Sequence, residues 1–306
     1  MNTLKQMIDD YLMYCEDQKK LNAKSTKAYT IDLEQFRRHI TTNDIPVKAD
    51  ILTYIAYLHK AYKAKTVKRK IASIRAFLNY LEFEDIISTN PMKKIKTKFQ
   101  EPQTLPRTIP LTIIQDILGV AYQELKLAQT AYAINSSLRN IAMIELIFAT
   151  GLRLSELCSL NIEHVDLNNG NIRIMGKGKK ERLLQIGNPE VISILRRYSE
   201  ENSVCKNGTG FFFINRLSSR ISEQSVRFLV KRLCTKAKIG QKITPHMFRH
   251  SFATLLLEED VDIRYIQRML GHSSILTTQI YTQVSMEKQR QILTVKHPRN
   301  RISVKL

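Results

Sequence analysis

The sequence predicts a mainly α fold with one small β-sheet in its second half, divided into two domains. Three observations carry that prediction. Apolar residues recur at three- and four-residue spacing along most of the chain, a short pair of strand-like segments flanks a glycine-rich turn at 176–180, and a proline-bearing stretch at 96–110 has no apolar periodicity. At 306 residues, 43% of them hydrophobic, the chain holds enough apolar material for two packed cores.

The first hundred residues read as helices. Leu4, Met7, Ile8, Tyr11 and Leu12 make one stripe; Tyr29, Leu33, Phe36 and Ile40 make a second, with Ser25 and Thr26 as candidate caps. Residues 50–62 read as a third helix. Thr66 can cap a fourth, in which Val67, Ile71, Ile74, Leu78 and Leu81 share a face. This four-helix module is expected to end near Asn90-Pro91, and the first domain is assigned to 1–97.

Pro102, Pro106 and Pro110 stand among Lys, Thr and Gln, so residues 98–110 are expected to be an extended linker. The second domain, 111–306, resumes with helices at about 111–125 and 137–149, and Gly151 is expected to end the second of these before a short helix near 153–160. A hairpin follows. Asn171–Met175 and Glu181–Ile186 are strand candidates around Gly176-Lys177-Gly178-Lys179-Lys180, whose glycines permit a tight turn. Further helices are expected at about 189–201, 222–238, 245–258, 262–270 and 276–281.

Charge narrows the partner. The 48 Lys and Arg against 28 Asp and Glu give +20, an excess shared by both halves, and a polyanion, nucleic acid before membrane, is the leading expectation. Cys15, Cys158, Cys205 and Cys234 show no metal or framework spacing and suit a reducing cytosol. Charges stud the first thirty residues and no run of about 18 apolar residues occurs, so neither a signal peptide nor a membrane span is expected and the protein is placed in the cytoplasm.

Several segments carry candidate chemistry. Lys60, Lys63, Lys65, Lys68, Arg69 and Lys70 put six positive charges into eleven residues without an acid. This run, Lys65, Lys68, Arg69 and Lys70 above all, is read as a phosphate-contacting helix start; a solvated helix face is the other reading. Thr244 and Pro245 suit an N-cap and a first helical position, so His246 and Arg249, three apart, share a face near a helix N-terminus that attracts phosphate. Arg153 at a helix start opposes the macrodipole by about 0.3–1 kcal/mol, so an anion is the expected reason for it, with Glu156 one turn on able to hold its guanidinium. A structural Arg–Glu pair would also account for them. Lys177 in its turn, His272 after a capping Gly271, and Tyr281 each have an ordinary structural reading when taken singly.

Together these residues resemble the tyrosine recombinase, or phage integrase, family and within it the Xer type. The matching segments are Ala-Thr-Gly-Leu-Arg-Leu-Ser-Glu-Leu at 149–157, Gly-Lys-Gly-Lys-Lys-Glu-Arg at 176–182, His-Met-Phe-Arg-His-Ser-Phe-Ala-Thr at 246–254, Leu-Gly-His-Ser at 270–273 and Thr-Thr-Gln-Ile-Tyr-Thr at 277–282. Ser25-Thr-Lys-Ala-Tyr29 to Asp32-Leu-Glu-Gln-Phe36 looks like the family's DNA-clamping domain, so the resemblance spans nearly the whole chain. It implies a two-domain DNA clamp with a SAM-like first domain and a catalytic second one.

The resemblance also implies roles. Tyr281 would attack the scissile phosphate to form a 3′-phosphotyrosyl link, Lys177 would protonate the departing 5′-oxygen, and His246 would assist proton movement at the nucleophile. Arg153, Arg249 and His272 would stabilise the non-bridging oxygens, with Glu156 in support. Such slow reactions need up to roughly 20 kcal/mol of barrier removed, and preorganised donors supply about 3–4 kcal/mol each. The covalent ester keeps the bond energy, so no metal, ATP or other cofactor is expected.

The expected partners are double-stranded recombination sites, further copies or a related recombinase in a DNA-bound tetramer, and accessory DNA-bending proteins. The tail from Met286 to Leu306 is expected to dock on a neighbouring subunit, and extra residues within 118–137 lengthen the chain relative to compact Xer proteins. Two rivals stand beside this reading. One is a silent DNA-binding regulator of the same fold; the other is a metal hydrolase using His246, His250 and His272, although Met247 replaces the glutamate such helices carry and Arg249 would repel a cation.

Overall fold

The computed structural model describes residues 3–40, 44–97, 107–176, 181–202 and 210–271. The chain divides into two compact units, Met1–Gln103 and Thr104–Leu306.

In the first unit, α1 (Leu4–Asp17), α2 (Ala23–His39), α3 (Lys48–Ala61) and α4 (Ala64–Phe83) enclose a core built from the stripes read in the sequence. Leu4, Tyr11, Leu33, Phe36, Val67, Ile74 and Leu81 are all buried. The caps differ from expectation. Asn22, not Ser25 or Thr26, caps α2, its side chain accepting from the Ser25 amide at 3.0 Å, and α4 opens at Lys63 without a side-chain cap, leaving Thr66 inside the first turn. The core also runs past Asn90-Pro91, through the 3₁₀ turn Pro91–Lys94, to Met92 and Ile95.

The basic run needs a correction at Lys70. Its ammonium is buried, donating to Asp32 Oδ1 at 2.9 Å and to Gln35, and it lies 5.2 Å over the Tyr62 ring. Asp32, itself fully buried, also accepts from Arg69 and from Ser73 Oγ at 2.8 Å. Burying a carboxyl group is costly unless its oxygens find donors. Lys70 meets that need on the face of α4 it shares with Val67 and Ile74, while Lys65 and Lys68 remain exposed and Arg69 is half-exposed.

In the second unit, α5 (Leu111–Lys126) and α6 (Ala131–Thr150) pack on each other. α6 is buried almost all round from Leu138 to Ile147, as a helix at the centre of a core must be. It begins six residues before the expected start, Thr130 capping the Ala133 amide at 3.2 Å, so residues 118–137 form the end of α5, a short turn and the first turns of α6. Ile109, at the end of the expected linker, sits in this core with its amide bound to Ser251 Oγ at 2.6 Å.

The short helix α7 (Leu154–Cys158) leads to an antiparallel sheet of β1 (Val165–Asp166), β2 (Asn171–Met175) and β3 (Glu181–Gln185), in the order β1-β2-β3. β1, only two residues long, was too short to be read from pattern. Register pairs Ile172 with Leu184 and Ile174 with Arg182, which puts all four on the inner face. α8 (Pro189–Glu201), α9 (Glu223–Lys236), α10 (Pro245–Glu258) and α11 (Ile263–Leu270) complete the described part. The predicted helix at 276–281 lies outside the described residues, and none of the described helices is long and apolar enough to cross a membrane.

Candidate active site

Two left-handed glycines shape the ground beneath the candidate residues. Gly151, φ +62°, ends α6, and a Cβ there would meet Phe252 of α10 at 2.5 Å and Leu270 of α11 at 2.9 Å. Gly271, φ +65°, ends α11, and a Cβ there would meet Arg182 Nη1 at 2.9 Å. Both ends therefore close against neighbours at a distance only glycine allows.

Arg153 precedes α7 in extended backbone, as its N-cap, and so stands just outside the first turn that the sequence reading gave it. Glu156 accepts the Arg153 amide at 2.8 Å and Arg153 Nη1 at 2.8 Å. The other guanidinium arm, Nη2, reaches the Gly271 carbonyl at 3.1 Å. That carbonyl belongs to the electronegative end of α11, so the unfavourable position at α7 is offset by a favourable one at another helix.

Arg249 lies inside α10, almost fully buried, with Nη1 on the Gly151 carbonyl at 2.6 Å and Nη2 on the Leu270 carbonyl at 2.7 Å. Two arginines far apart in sequence thus converge on the carbonyl end of α11, next in the chain to His272. Backbone carbonyls hold a guanidinium without placing a formal negative charge beside it.

His246 sits one turn before Arg249, on the exposed side of α10. Partial desolvation, then the charges of Arg249, Arg227 and Arg153, hold its pKa below the ordinary histidine value, with Glu223 opposing. A lowered pKa favours the neutral imidazole, the form able to accept a proton. Thr244 occupies the N-cap and Pro245 the first helical position as expected, but the Thr244 hydroxyl makes no capping bond. His250 is likewise held low by burial, His246 and Arg249.

Glu156 is the hub. Besides Arg153 it accepts Arg182 Nη1 at 2.9 Å and Nη2 at 2.7 Å, a bidentate pair in which Glu156 is 7% and Arg182 13% exposed. Burial raises the carboxyl pKa, but the bonds from Arg182 and Arg153 outweigh it and keep the group ionised below the ordinary carboxylate range. Arg182 Nε donates in turn to the Met269 carbonyl at 3.0 Å.

The structure therefore brings Arg153, Glu156 and Arg249 together, with His246 close enough to feel both arginines. Lys177, His272 and Tyr281 lie outside the described residues. Arg182 received no role in the sequence reading. Its signal was there: with Leu184 inward, period-two alternation along β3 turns Arg182 inward too, a charge on a core-facing position that calls for a partner.

Known proteins bear on this geometry. Residues 121–288 match the model of the phage integrase family, and residues 8–85 match that of the phage integrase N-terminal SAM-like domain. A tyrosine recombinase of Agathobacter rectalis is 50% identical over 304 residues, covering 98% of each chain, and the tyrosine recombinase XerD of Listeria innocua is 34% identical over 96% of this chain and 99% of its own. The fold is similar to that of the site-specific recombinase XerH in a post-cleavage complex with a difH substrate (TM-score 0.75, 22% identity, 96% of this chain and 84% of that one). It is also similar to that of a lambda integrase tetramer bound to a Holliday junction (TM-score 0.68, 17% identity, 92% and 77%). With the family's segments in place and a relative half identical over almost its whole length, the chain belongs to the phage integrase family and is a tyrosine-type site-specific DNA recombinase.

Proposed function

We propose that the chain cuts and rejoins duplex DNA at a specific site through a 3′-phosphotyrosyl intermediate on Tyr281. The phenol oxygen bonds to phosphorus as the bond to the 5′-oxygen breaks. His246 takes up the phenol proton and Lys177 gives one to the leaving 5′-oxygen; attack by a 5′-hydroxyl of the exchanged strand reverses the sequence. Arg153, Arg249 and His272 stabilise the non-bridging oxygens, and Glu156 supports Arg153. The observation that carries this reading is the convergence of Arg153 and Arg249 on the carbonyl end of α11.

Donors fixed in advance need no reorganisation as charge develops on the phosphate, which is where most rate enhancement of this kind originates. In this reading residues 1–97 form a SAM-like DNA-binding domain, 98–110 a linker, and 111–306 the catalytic domain with its tail. Lys65 and Lys68 contact phosphates. The partners are recombination sites on double-stranded DNA, the assembly is a homo- or hetero-tetramer with or without accessory proteins, and the compartment is the cytoplasm.

The test uses genomic DNA of the source organism, sheared and lightly nicked. Cleavage beside a nick releases a short fragment, so the protein stays attached and survives denaturing electrophoresis. The parent is expected to form this adduct in EDTA on a reproducible sequence, and Tyr281→Phe to bind the same DNA without it. An adduct retained by Tyr281→Phe, or none with the parent, would overturn the proposal.

A further inference from the structure

We propose that Arg182, a residue with no assigned part in strand cleavage, is a positioning residue of this active site. This rests on the recombinase reading above and deepens it. Three successive carbonyls at the end of α11 each accept from a different arginine: Met269 from Arg182 Nε at 3.0 Å, Leu270 from Arg249 Nη2 at 2.7 Å, and Gly271 from Arg153 Nη2 at 3.1 Å. The final carbonyls of a helix have no partner within it, so these bonds satisfy groups that would otherwise need water.

Of the three, Arg153 and Arg249 are the ones assigned to the phosphate. Each of those guanidiniums has to divide its N–H groups between the helix end and the phosphate. Arg182 does not have that conflict. Both its terminal nitrogens are committed to Glu156, its Nε to Met269, and its side chain is 13% exposed against 37% for Arg153.

Arg182 thus does two things through one planar group. It fixes the Glu156 carboxylate, which in turn aims Arg153, and it ties β3 to α11, the helix that leads in sequence to His272 and Tyr281. Gly271 preserves the space for it, since a Cβ there would press on the guanidinium carbon at 3.1 Å. Lysine could not replace it, because a single ammonium cannot span the carboxylate and the carbonyl in one plane.

The experiment is single-turnover adduct formation on the DNA captured above, with Arg182→Ala, Arg182→Lys, Glu156→Gln and the double variant Glu156→Gln/Arg182→Lys, DNA affinity being measured alongside. Misplacing a reacting group by about 1 Å costs up to about 100-fold in rate. Arg182→Ala is expected to slow the rate constant about 10- to 100-fold while DNA affinity stays within about twofold and the final adduct yield is kept. Arg182→Lys should recover only part of the rate. The double variant should be slowed by less than the product of the two single effects, because the Glu156–Arg182 pair that aims Arg153 is shared by both.

A loss that appears as lower yield at an unchanged rate constant would mean a folding role only and overturn the proposal. So would an Arg182→Ala rate within about twofold of the parent, or Arg182→Lys and Glu156→Gln effects that multiply. If Arg182→Ala does not fold, the Arg182→Lys and double-variant rates decide alone. Absence of adduct from the parent would instead refute the recombinase mechanism and is thereby distinguished.

Discussion

Replacing Glu156 by glutamine keeps the size of the side chain and removes its charge, which isolates what the carboxylate contributes. Four donors reach its two oxygens: Arg153 Nη1 and Arg182 Nη1 at one, the Arg153 amide and Arg182 Nη2 at the other. A glutamine offers one acceptor, so either orientation of the amide loses two of the four bonds and sets N–H groups against N–H groups. Hydrogen bonds to charged groups contribute about 1.5–3 kcal/mol each, and breaking a buried ion pair costs about 3–5 kcal/mol. Arg153 is 37% exposed and recovers part of its loss in water, so about 3 kcal/mol is expected.

Urea unfolding of the full chain reads this as a midpoint lowered by about 1 M or more at neutral pH with the slope unchanged. The pH dependence has a definite sign. The folded pKa of Glu156 lies below its ordinary 4.5, so its contribution is complete above the unfolded value and is lost as pH falls through the folded one. The gap between parent and variant should therefore close in acid. A midpoint within about 0.3 M of the parent at neutral pH, or a gap that persists undiminished in acid, would refute the reasoning.

Two further outcomes follow, one from the Asp32 cluster of the first unit and one from the surroundings of His246. Lys70→Ala should destabilise the first unit by about 3 kcal/mol, because Asp32 stays buried with fewer partners, whereas Lys65→Ala should change stability by less than about 0.5 kcal/mol and lower the salt dependence of DNA binding by about one phosphate contact; equal stabilities, or unchanged DNA binding by Lys65→Ala, would contradict this. His246 should titrate by NMR below the ordinary 6.5, and since its folded pKa is depressed, its contribution to stability should be complete above the unfolded value and fade as pH falls toward the folded one; a measured pKa at or above 6.5 would count against the arginine-rich environment described for it.

Much of the fold was legible because its signals are local. α10 begins at Pro245 because proline suits a first helical position, and α6 and α11 stop at Gly151 and Gly271 because left-handed ends favour glycine. The misreadings also have local causes. Ser25 and Thr26 are good capping residues lying inside α2, so residue type alone could not prefer Asn22, and the start of α6 is rich in Ala, Asn and Ser, which carry little apolar period. Lys70 could have been told from Lys65 by its place in the Val67–Ile74 stripe; the charge run hid the period.

The sequence by itself determined the helical character, the two cores and the family, through residue types at fixed spacing along the chain. It also supplied Arg153, Glu156, His246 and Arg249 as candidates, and Lys177, His272 and Tyr281 with them. Only the tertiary structure decided that Glu156 serves two arginines and that Arg182, Arg249 and Arg153 divide the Met269, Leu270 and Gly271 carbonyls among them. The reason is range. Capping and periodicity act within a few residues, whereas these bonds join positions up to 118 residues apart, and their partners are fixed only when α7, β3, α10 and α11 pack against one another.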